Sequence, residues 1–280
     1  IGIDRFLTTE SASVFSPSDM ITLNDKNGFP YGVNEITGNL IKINRGELKN
    51  PNGLILGQAG SGKSLIAKWE MLLALLNTDD DIMVIDPERE FVPIAEMMGG
   101  QVIHVSSGTN TFMNPLDMDI DYAATEDKQG DPVAMKCDFL TAFCETIVGK
   151  HIGLTAYDIN VIHRCGKRIY EGYMQYMEEA QKNGITCNTN ASPTLVDLYA
   201  QLQQQPEPEA RRLAAALEQY CVGSYDIFAH RTNVDTHARL IVYDTKDLGA
   251  GSKETAMFVC MNDIWNRTIA NWRKHKATRI

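Results

Sequence analysis

The eight residues 57–64, GQAGSGKS, constrain the fold of this chain more than any other stretch of its sequence. They fit the pattern G-x-x-x-x-G-K-[ST], and they lie between an apolar run at 54–56 and an amphipathic segment at 64–77. A buried strand before the glycines and a helix after them favour a phosphate-binding loop, or P-loop. The glycines let successive N–H groups face inward, and the helix adds the positive end of its dipole.

The lysine and the serine that close the motif have separate chemical roles. Lys63 would place its ammonium group on the β- and γ-phosphates, and Ser64 would ligate Mg²⁺ through its hydroxyl. We therefore predict that the chain binds a nucleoside triphosphate with Mg²⁺, and that Lys63 and Ser64 take part in catalysis. The predicted nucleotide-binding residues are Gly57, Gln58, Ala59, Gly60, Ser61, Gly62, Lys63, Ser64 and Leu65.

Hydrolysis also needs an acidic residue at the end of a neighbouring strand, and usually a glutamate that orients the attacking water. Asp86 and Glu88 follow the apolar run 82–85, and Asp244 ends a later run. We predict Asp86 as a Mg²⁺ ligand and Glu88 as a catalytic residue. In a structural alternative that stays open, Asp86 caps the next helix and Asp244 forms a cap or a turn. Glu88, Arg89 and Glu90 would then pair among themselves at the edge of the sheet.

The spacing of apolar residues predicts an α/β fold in which helices flank a parallel sheet. From 54 to 105 the order is strand, helix, strand, a short helix ending at 98, and strand, which indicates parallel strands joined by right-handed crossovers. The predicted strands lie at 54–56, 82–85, 101–105 and 238–248, with a long helix at 253–273. Between about 117 and 234 the pattern is helical, with helices predicted at 133–147, 157–180, 194–204 and 207–220.

These patterns divide the chain into three parts. Residues 1–50 form an N-terminal segment with a small β-hairpin at 29–44, which two short β-type runs around turn residues predict. Residues 51–116 and 236–280 form the P-loop core. Residues 117–235 form an inserted, mostly helical subdomain.

The composition limits the partners and the compartment of the chain. Its 280 residues have a formal net charge of −10, so any contact with nucleic acid or an anionic membrane must be local. The six cysteines are scattered without a CxxC pair, which favours reduced core thiols in a cytosolic compartment over a zinc site or a disulfide framework. No stretch approaches the roughly 20 apolar residues of a membrane span. Both ends of the chain are expected to be cuts in a longer protein.

Six segments resemble, in order along the chain, the VirB-type conjugation ATPases, the fourth VirB component of type IV secretion systems. This family belongs to the RecA-like ring motors, a group that includes DNA translocases. The segments are YGVNEITGNLIKIN at 31–44, NPNGLILGQAGSGKS at 50–64, VIDPEREF at 84–91, MNPLD at 113–117, LIVYDTKDLG at 240–249 and IWNR at 264–267. They cover nearly the whole chain, so the resemblance is more specific than a P-loop alone.

The resemblance implies a RecA-like fold, ATP as the nucleotide, and a motor domain that forms a hexamer in the full protein. The motor would couple ATP hydrolysis to channel assembly or to the transfer of DNA or protein. Its partners would be other secretion-channel components and inner-membrane proteins, with contact to DNA as a further expectation. It would be cytoplasmic and peripherally associated with the inner face of the cell membrane.

The resemblance also implies that part of the catalytic machinery lies outside this sequence. In the family, the strand that would begin near 278–280 contains an Asp-Glu acid pair. The catalytic glutamate and an arginine that reaches into a neighbouring subunit are expected beyond residue 280. This chain is therefore expected to bind nucleotide better than it hydrolyses it.

Two other functions stay open at this point. One is a ring translocase that pumps DNA directly, which salt-dependent DNA binding would distinguish. The other is an assembly platform, in which ATP binding orders a partner interface without turnover. Hydrolysis by the full-length protein would distinguish a motor from such a platform.

Overall fold

The computed structural model describes residues 23–118, 131–149, 151–183, 191–249 and 251–280. The chain groups into two compact units, Ile1–Thr78 and Asp79–Ile280. The three-part division into N-terminal segment, P-loop core and helical insertion stays a prediction. Within the described ranges, no helix is both long enough and apolar enough to cross a membrane.

The first unit contains a β-hairpin. Strands β1 (Phe29–Val33) and β2 (Leu40–Ile43) pair in antiparallel fashion. Asn34 shapes the turn between them, because its side-chain oxygen accepts hydrogen bonds from the N–H groups of Ile36 and Thr37, both at 2.9 Å. The hairpin predicted at 29–44 is therefore confirmed.

Helix α1 (Lys63–Asn77) begins inside the P-loop motif and is tied to the hairpin by one arginine. Arg45 follows β2 and donates from Nη1 to the carboxylate of Glu70, on α1, at 2.6 Å. Its Nη2 donates to the carbonyl of Pro51 at 2.7 Å. A single side chain therefore joins the end of the hairpin, the connection that precedes the P-loop and the middle of the helix.

The strand predicted at 54–56 is wrong. Residues 51–58 have irregular backbone, and Leu54 and Leu56 are exposed. A strand requires a ladder of hydrogen bonds to a neighbour, and residues 54–56 pair with none of the described strands. Three consecutive apolar residues indicated burial, but they did not specify a pairing partner.

The second unit is built on a four-stranded parallel sheet, which confirms the predicted α/β fold. Its strands are β3 (Asp81–Asp86), β4 (Gln101–His104), β5 (Leu240–Asp244) and β6 (Thr278–Arg279), arranged in the order β4, β5, β3, β6. Every pairing between them is parallel. The central strand β5 is buried along its whole length, as expected for a strand covered on both faces.

The α-helices described in the second unit lie at positions that apolar periodicity predicted. They are α2 (Val92–Met97), α3 (Pro132–Val148), α4 (Ala156–Lys182), α5 (Leu195–Gln203), α6 (Pro208–Cys221) and α7 (Lys253–Arg273). The start of α3 shows why the sequence folds this way locally. Asp131 accepts hydrogen bonds from the N–H groups of Val133 and Ala134, and Pro132 occupies the first turn, where its missing N–H costs nothing.

The segment 113–118, which contains MNPLD, leads from the sheet towards the helices and is largely buried. Three buried side chains of α3 and α4 donate hydrogen bonds to its main-chain carbonyls: Lys136 to Pro115 at 2.9 Å, Tyr170 to Leu116 at 2.6 Å and Tyr173 to Met118 at 2.7 Å. A buried ammonium or hydroxyl group is costly without such a partner. These bonds therefore fix the position of the segment.

Five cysteines lie in the described ranges, and all five are buried: Cys137, Cys144, Cys165, Cys221 and Cys260. Burial raises the pKa of the Cys144 and Cys221 thiols to about 12. The reactive thiolate is therefore disfavoured at these positions. Cys187 lies outside the described residues.

Candidate nucleotide-binding site

Three glycines give the P-loop motif its shape. Gly60 and Gly62 have φ of +79° and +87°, in the left-handed region that side chains disfavour. Gly57 fits the loop for a different reason, because a Cβ atom at this position would lie 2.3 Å from Oγ of Ser61 and would force that side chain to move. The glycine pattern read from the sequence is therefore matched by backbone that only glycine adopts without strain.

The amino end of α1 presents donors to the loop. The helix begins at Lys63, and the residue before it, Gly62, offers no side-chain cap. The first hydrogen bond of the helix runs from the N–H of Ile66 to the carbonyl of Gly62 at 3.0 Å. The N–H groups of Lys63, Ser64 and Leu65 precede that bond, so they lie at the positive end of the helix dipole.

The side chain of Lys63 folds back onto the loop that precedes it. Its Nζ donates to the carbonyls of Gly57 and Gln58 at 3.0 and 2.8 Å. An ammonium group in this position lies above the same loop whose glycines turn the backbone. Together with the helix N–H groups, it forms a set of positive donors that fits a polyphosphate. Ser64 follows in the first turn and offers a hydroxyl oxygen, a ligand type that Mg²⁺ prefers.

In the second unit, the acidic residues predicted from the sequence lie at the carboxyl edge of the sheet. Asp86 is in register with Asp244 on the neighbouring strand, and His104 is in register with Asp244 on the other side. The last residues of β3, β5 and β4 thus lie side by side. In open parallel sheets, ligands bind outside this edge.

The structural alternative made Asp86 the cap of the next helix, but the N-cap of α2 is Phe91, which has no side-chain cap. Asp86 instead binds the turn before that helix. It is buried, and its two carboxylate oxygens accept from the N–H groups of Glu90 and Phe91 at 3.0 and 2.7 Å. Each oxygen retains capacity for a further bond, so the role of Asp86 as a Mg²⁺ ligand stays a prediction. Glu88 is exposed two residues further on, and its catalytic role also stays a prediction.

Arg89 forms a contact that the sequence did not indicate. The alternative had paired it with Glu88 and Glu90, but its Nε donates to the carboxylate of Asp244 at 2.6 Å. Its Nη2 donates to Asp247. Nδ1 of His104 lies 2.8 Å from the same oxygen of Asp244.

These partners set the charge state of Asp244. Its side chain is fully buried, and burial alone would raise its pKa. The hydrogen bonds from Arg89 and His104 outweigh that effect and hold the pKa of Asp244 below its ordinary value. Asp244 is therefore a carboxylate at neutral pH.

Within the described ranges, no group of three or more His, Cys, Asp and Glu side chains could hold a metal ion.

The described chain has a mixed α/β fold, with a parallel four-stranded sheet and helices in the second unit and a small antiparallel hairpin in the first. VirB4 of Thermoanaerobacter pseudethanolicus is a solved structure with a similar fold, at a TM-score of 0.69 and 23% sequence identity. The match covers 90% of this chain and 66% of that chain, so this chain spans just under two thirds of the VirB4 length.

This likeness confirms, at the level of the fold, the resemblance to the VirB-type ATPases inferred from the motifs. Neither the models of known protein families nor the curated proteins contain a match to the chain.

Proposed function

We propose that the chain is the ATP-binding motor domain of a conjugative type IV secretion system. ATP hydrolysis would drive channel assembly or the transfer of DNA or protein. The observation that supports this most is the geometry of residues 57–64, where glycines with positive φ, the ammonium of Lys63 and the uncapped amino end of α1 present donors that suit phosphate. The similarity of the fold to that of VirB4 also supports the proposal.

In this proposal the residues of the loop hold the triphosphate. The N–H groups at the start of α1 contact the phosphate oxygens, and Lys63 exchanges its carbonyl partners for the β- and γ-phosphates. Ser64 would offer its hydroxyl to Mg²⁺, and Asp86 stays the second predicted ligand; the ion would supply positive charge that offsets the charge of the phosphates. Glu88 would orient the attacking water.

The assembly of the motor rests on the fold likeness alone. We propose that the full protein forms a hexamer and acts with other channel components and inner-membrane proteins at the cytoplasmic face of the membrane. Contact with DNA belongs to the same proposal.

A binding experiment with a matched control tests the nucleotide site. ATP affinity would be measured with and without Mg²⁺ for the wild-type chain, Lys63→Ala and Lys49→Ala, an exposed lysine outside the loop. A hydrogen bond to a charged group contributes about 1.5–3 kcal/mol, so Lys63→Ala should weaken ATP binding by roughly 10- to 150-fold. Lys49→Ala should bind like the wild type. If Lys63→Ala binds ATP as tightly as the wild type, the loop is not the nucleotide site.

Turnover and DNA binding distinguish the motor from the two alternatives. A platform would bind ATP without releasing phosphate in the full-length protein, whereas a motor would release it. A DNA-pumping translocase would bind DNA with an affinity that falls steeply as salt rises.

A further inference from the structure

An apolar cavity lies beside the first turns of α1 in the first unit. Its volume is about 390 Å³, within the range of small-molecule sites. One part of its lining is the face of the helix formed by Leu65, Trp69 and Leu73, which follow one another at intervals of one turn. Another part is the start of the hairpin, residues 29–31. All of these residues belong to the first unit.

The helix side chains of this cavity are open to solvent. Leu65 is 71% exposed and Trp69 is 52% exposed. Nε1 of Trp69 donates to the carbonyl of Pro30 at 3.4 Å, so one edge of the indole is held by the hairpin. Contiguous exposed apolar surface marks binding sites. An indole that is held at one edge and is otherwise accessible suits a flat aromatic ligand.

The charges around the cavity favour a neutral group over a phosphate. Glu70 is the one charged side chain among the described residues of the lining, and its carboxylate accepts a hydrogen bond from Nη1 of Arg45 at 2.6 Å. Burial and the nearby Glu70 raise the pKa of Tyr31, so its phenol is neutral at pH 7. The described lining thus offers no cation to a phosphate, but it offers apolar and aromatic surface to an uncharged ring.

Leu65 connects this cavity to the P-loop. Its N–H is one of the three that precede the first hydrogen bond of α1, and its side chain lines the cavity. A helix rises 1.5 Å per residue, so Trp69 lies only about 6 Å further along the axis. In a nucleotide held by those N–H groups, the ribose and the base extend away from the phosphates. The cavity therefore lies within reach of the base.

We infer that this cavity binds the base of the nucleotide, and that the base stacks on Trp69. This inference rests on the proposed nucleotide-binding function. The site would then have two parts of different chemistry. The loop at 57–64 would hold the charged phosphates, and the hairpin with the 65–73 face of α1 would hold the flat, uncharged base.

Equilibrium binding of ATP and of inorganic tripolyphosphate, each with Mg²⁺, tests this inference on the whole chain, because tripolyphosphate has the phosphates without the base. The wild type should bind ATP more tightly by roughly 5- to 150-fold, the contribution of one base stacked on an aromatic side chain. Trp69→Ala should abolish this difference by weakening ATP binding, with tripolyphosphate affinity unchanged. Trp69→Phe retains an aromatic ring, so it should keep most of the difference. The matched control is Trp272→Ala, which removes another exposed indole, on α7, and should behave like the wild type.

Fluorescence gives a second measurement that does not depend on removing Trp69. The chain has three tryptophans, Trp69, Trp265 and Trp272. In the double variant Trp265→Phe/Trp272→Phe, the indole emission comes from Trp69 alone. Saturating ATP should quench this emission, whereas saturating tripolyphosphate should leave it largely unchanged. ATP that binds this variant without a change in emission beyond that caused by tripolyphosphate would overturn the inference.

The outcomes separate this inference from the proposed function. If the wild type binds ATP and tripolyphosphate equally, or if Trp69→Ala keeps the wild-type ratio, phosphate binding by the loop stands and the base lies elsewhere. If Trp69→Ala weakens both ligands equally, Trp69 supports the loop rather than the base, and the inference is overturned. If the wild type binds neither ligand, the proposed function fails and the inference fails with it.

Discussion

Replacing Asp81 by asparagine should lower the free energy of unfolding of the second unit by about 3–5 kcal/mol, the usual cost of breaking a buried ion pair. Asp81 begins β3 and is 1% exposed. Nε of Arg267 and Nδ2 of Asn271 each donate to Oδ2 at 2.7 Å. Nζ of Lys276 lies 2.5 Å from Oδ1. The substitution leaves two cations without their carboxylate where β3 meets α7 and the turn before β6.

The assay is urea unfolding at pH 7, with Asp79→Asn as the control. Asp79 lies two residues away and is exposed, so its substitution should change stability by less than about 0.5 kcal/mol. For a unit of this size, about 3–5 kcal/mol corresponds to a fall in Tm of about 6–20 °C. A loss at Asp81 no larger than that at Asp79 would refute the reasoning.

The same pair of variants should respond to pH in a defined direction. Burial alone would raise the pKa of Asp81, but hydrogen bonds from Lys276, Asn271 and Arg267 outweigh it and lower the pKa. A lowered folded-state pKa stabilises the protein above the unfolded value of about 3.9, and this contribution disappears as pH falls through the folded value. The deficit of Asp81→Asn should therefore be full at pH 7 and shrink below about pH 4.

Two other substitutions test the loop and the helical region. Gly57→Ala places a Cβ atom 2.3 Å from Oγ of Ser61, so the Ser61 side chain must move within the loop. ATP affinity measured by titration should fall by up to about tenfold, the contribution of one hydrogen bond, and unchanged affinity would show that the loop tolerates the contact. Arg212→Met removes the ion pair with the buried Asp158, whose pKa is lowered by hydrogen bonds from Thr155 and Arg212 despite burial. Because Arg212 is 44% exposed, the loss in unfolding free energy should be about 1–2 kcal/mol at pH 7. This loss should shrink as pH falls below about 4, the unfolded pKa of a carboxyl group, and a loss independent of pH would argue for lost packing instead.

The parts of the site that depend on local sequence could be predicted. Gly60 and Gly62 have the positive φ that the P-loop pattern requires, and α1 begins at Lys63. Strands β3, β4 and β5 each coincide with a short apolar run that ends in a polar residue. Such signals depend on neighbours within a few residues, because backbone conformation and amphipathic periodicity are local properties.

The contact between Arg89 and Asp244 could not be predicted from those signals. The two residues are 155 positions apart in the chain. They meet because β5 lies between β4 and β3, and apolar periodicity does not specify the order of strands in a sheet. The same limit explains why the strand predicted at 54–56 is wrong. A strand forms only when it pairs with another strand, and its own residues do not specify that partner.

The anchoring of residues 113–118 has a mechanical consequence. Each anchor ends on a main-chain carbonyl, which cannot relax by changing rotamer, and the bonds from Tyr170 and Tyr173 are only 2.6 and 2.7 Å long. A shift of about 1 Å in α4 would stretch both beyond hydrogen-bonding range unless the segment moved too. The helices and the chain that leaves β4 are therefore stiffly linked. A displacement of α4 would displace residues 113–118 as well.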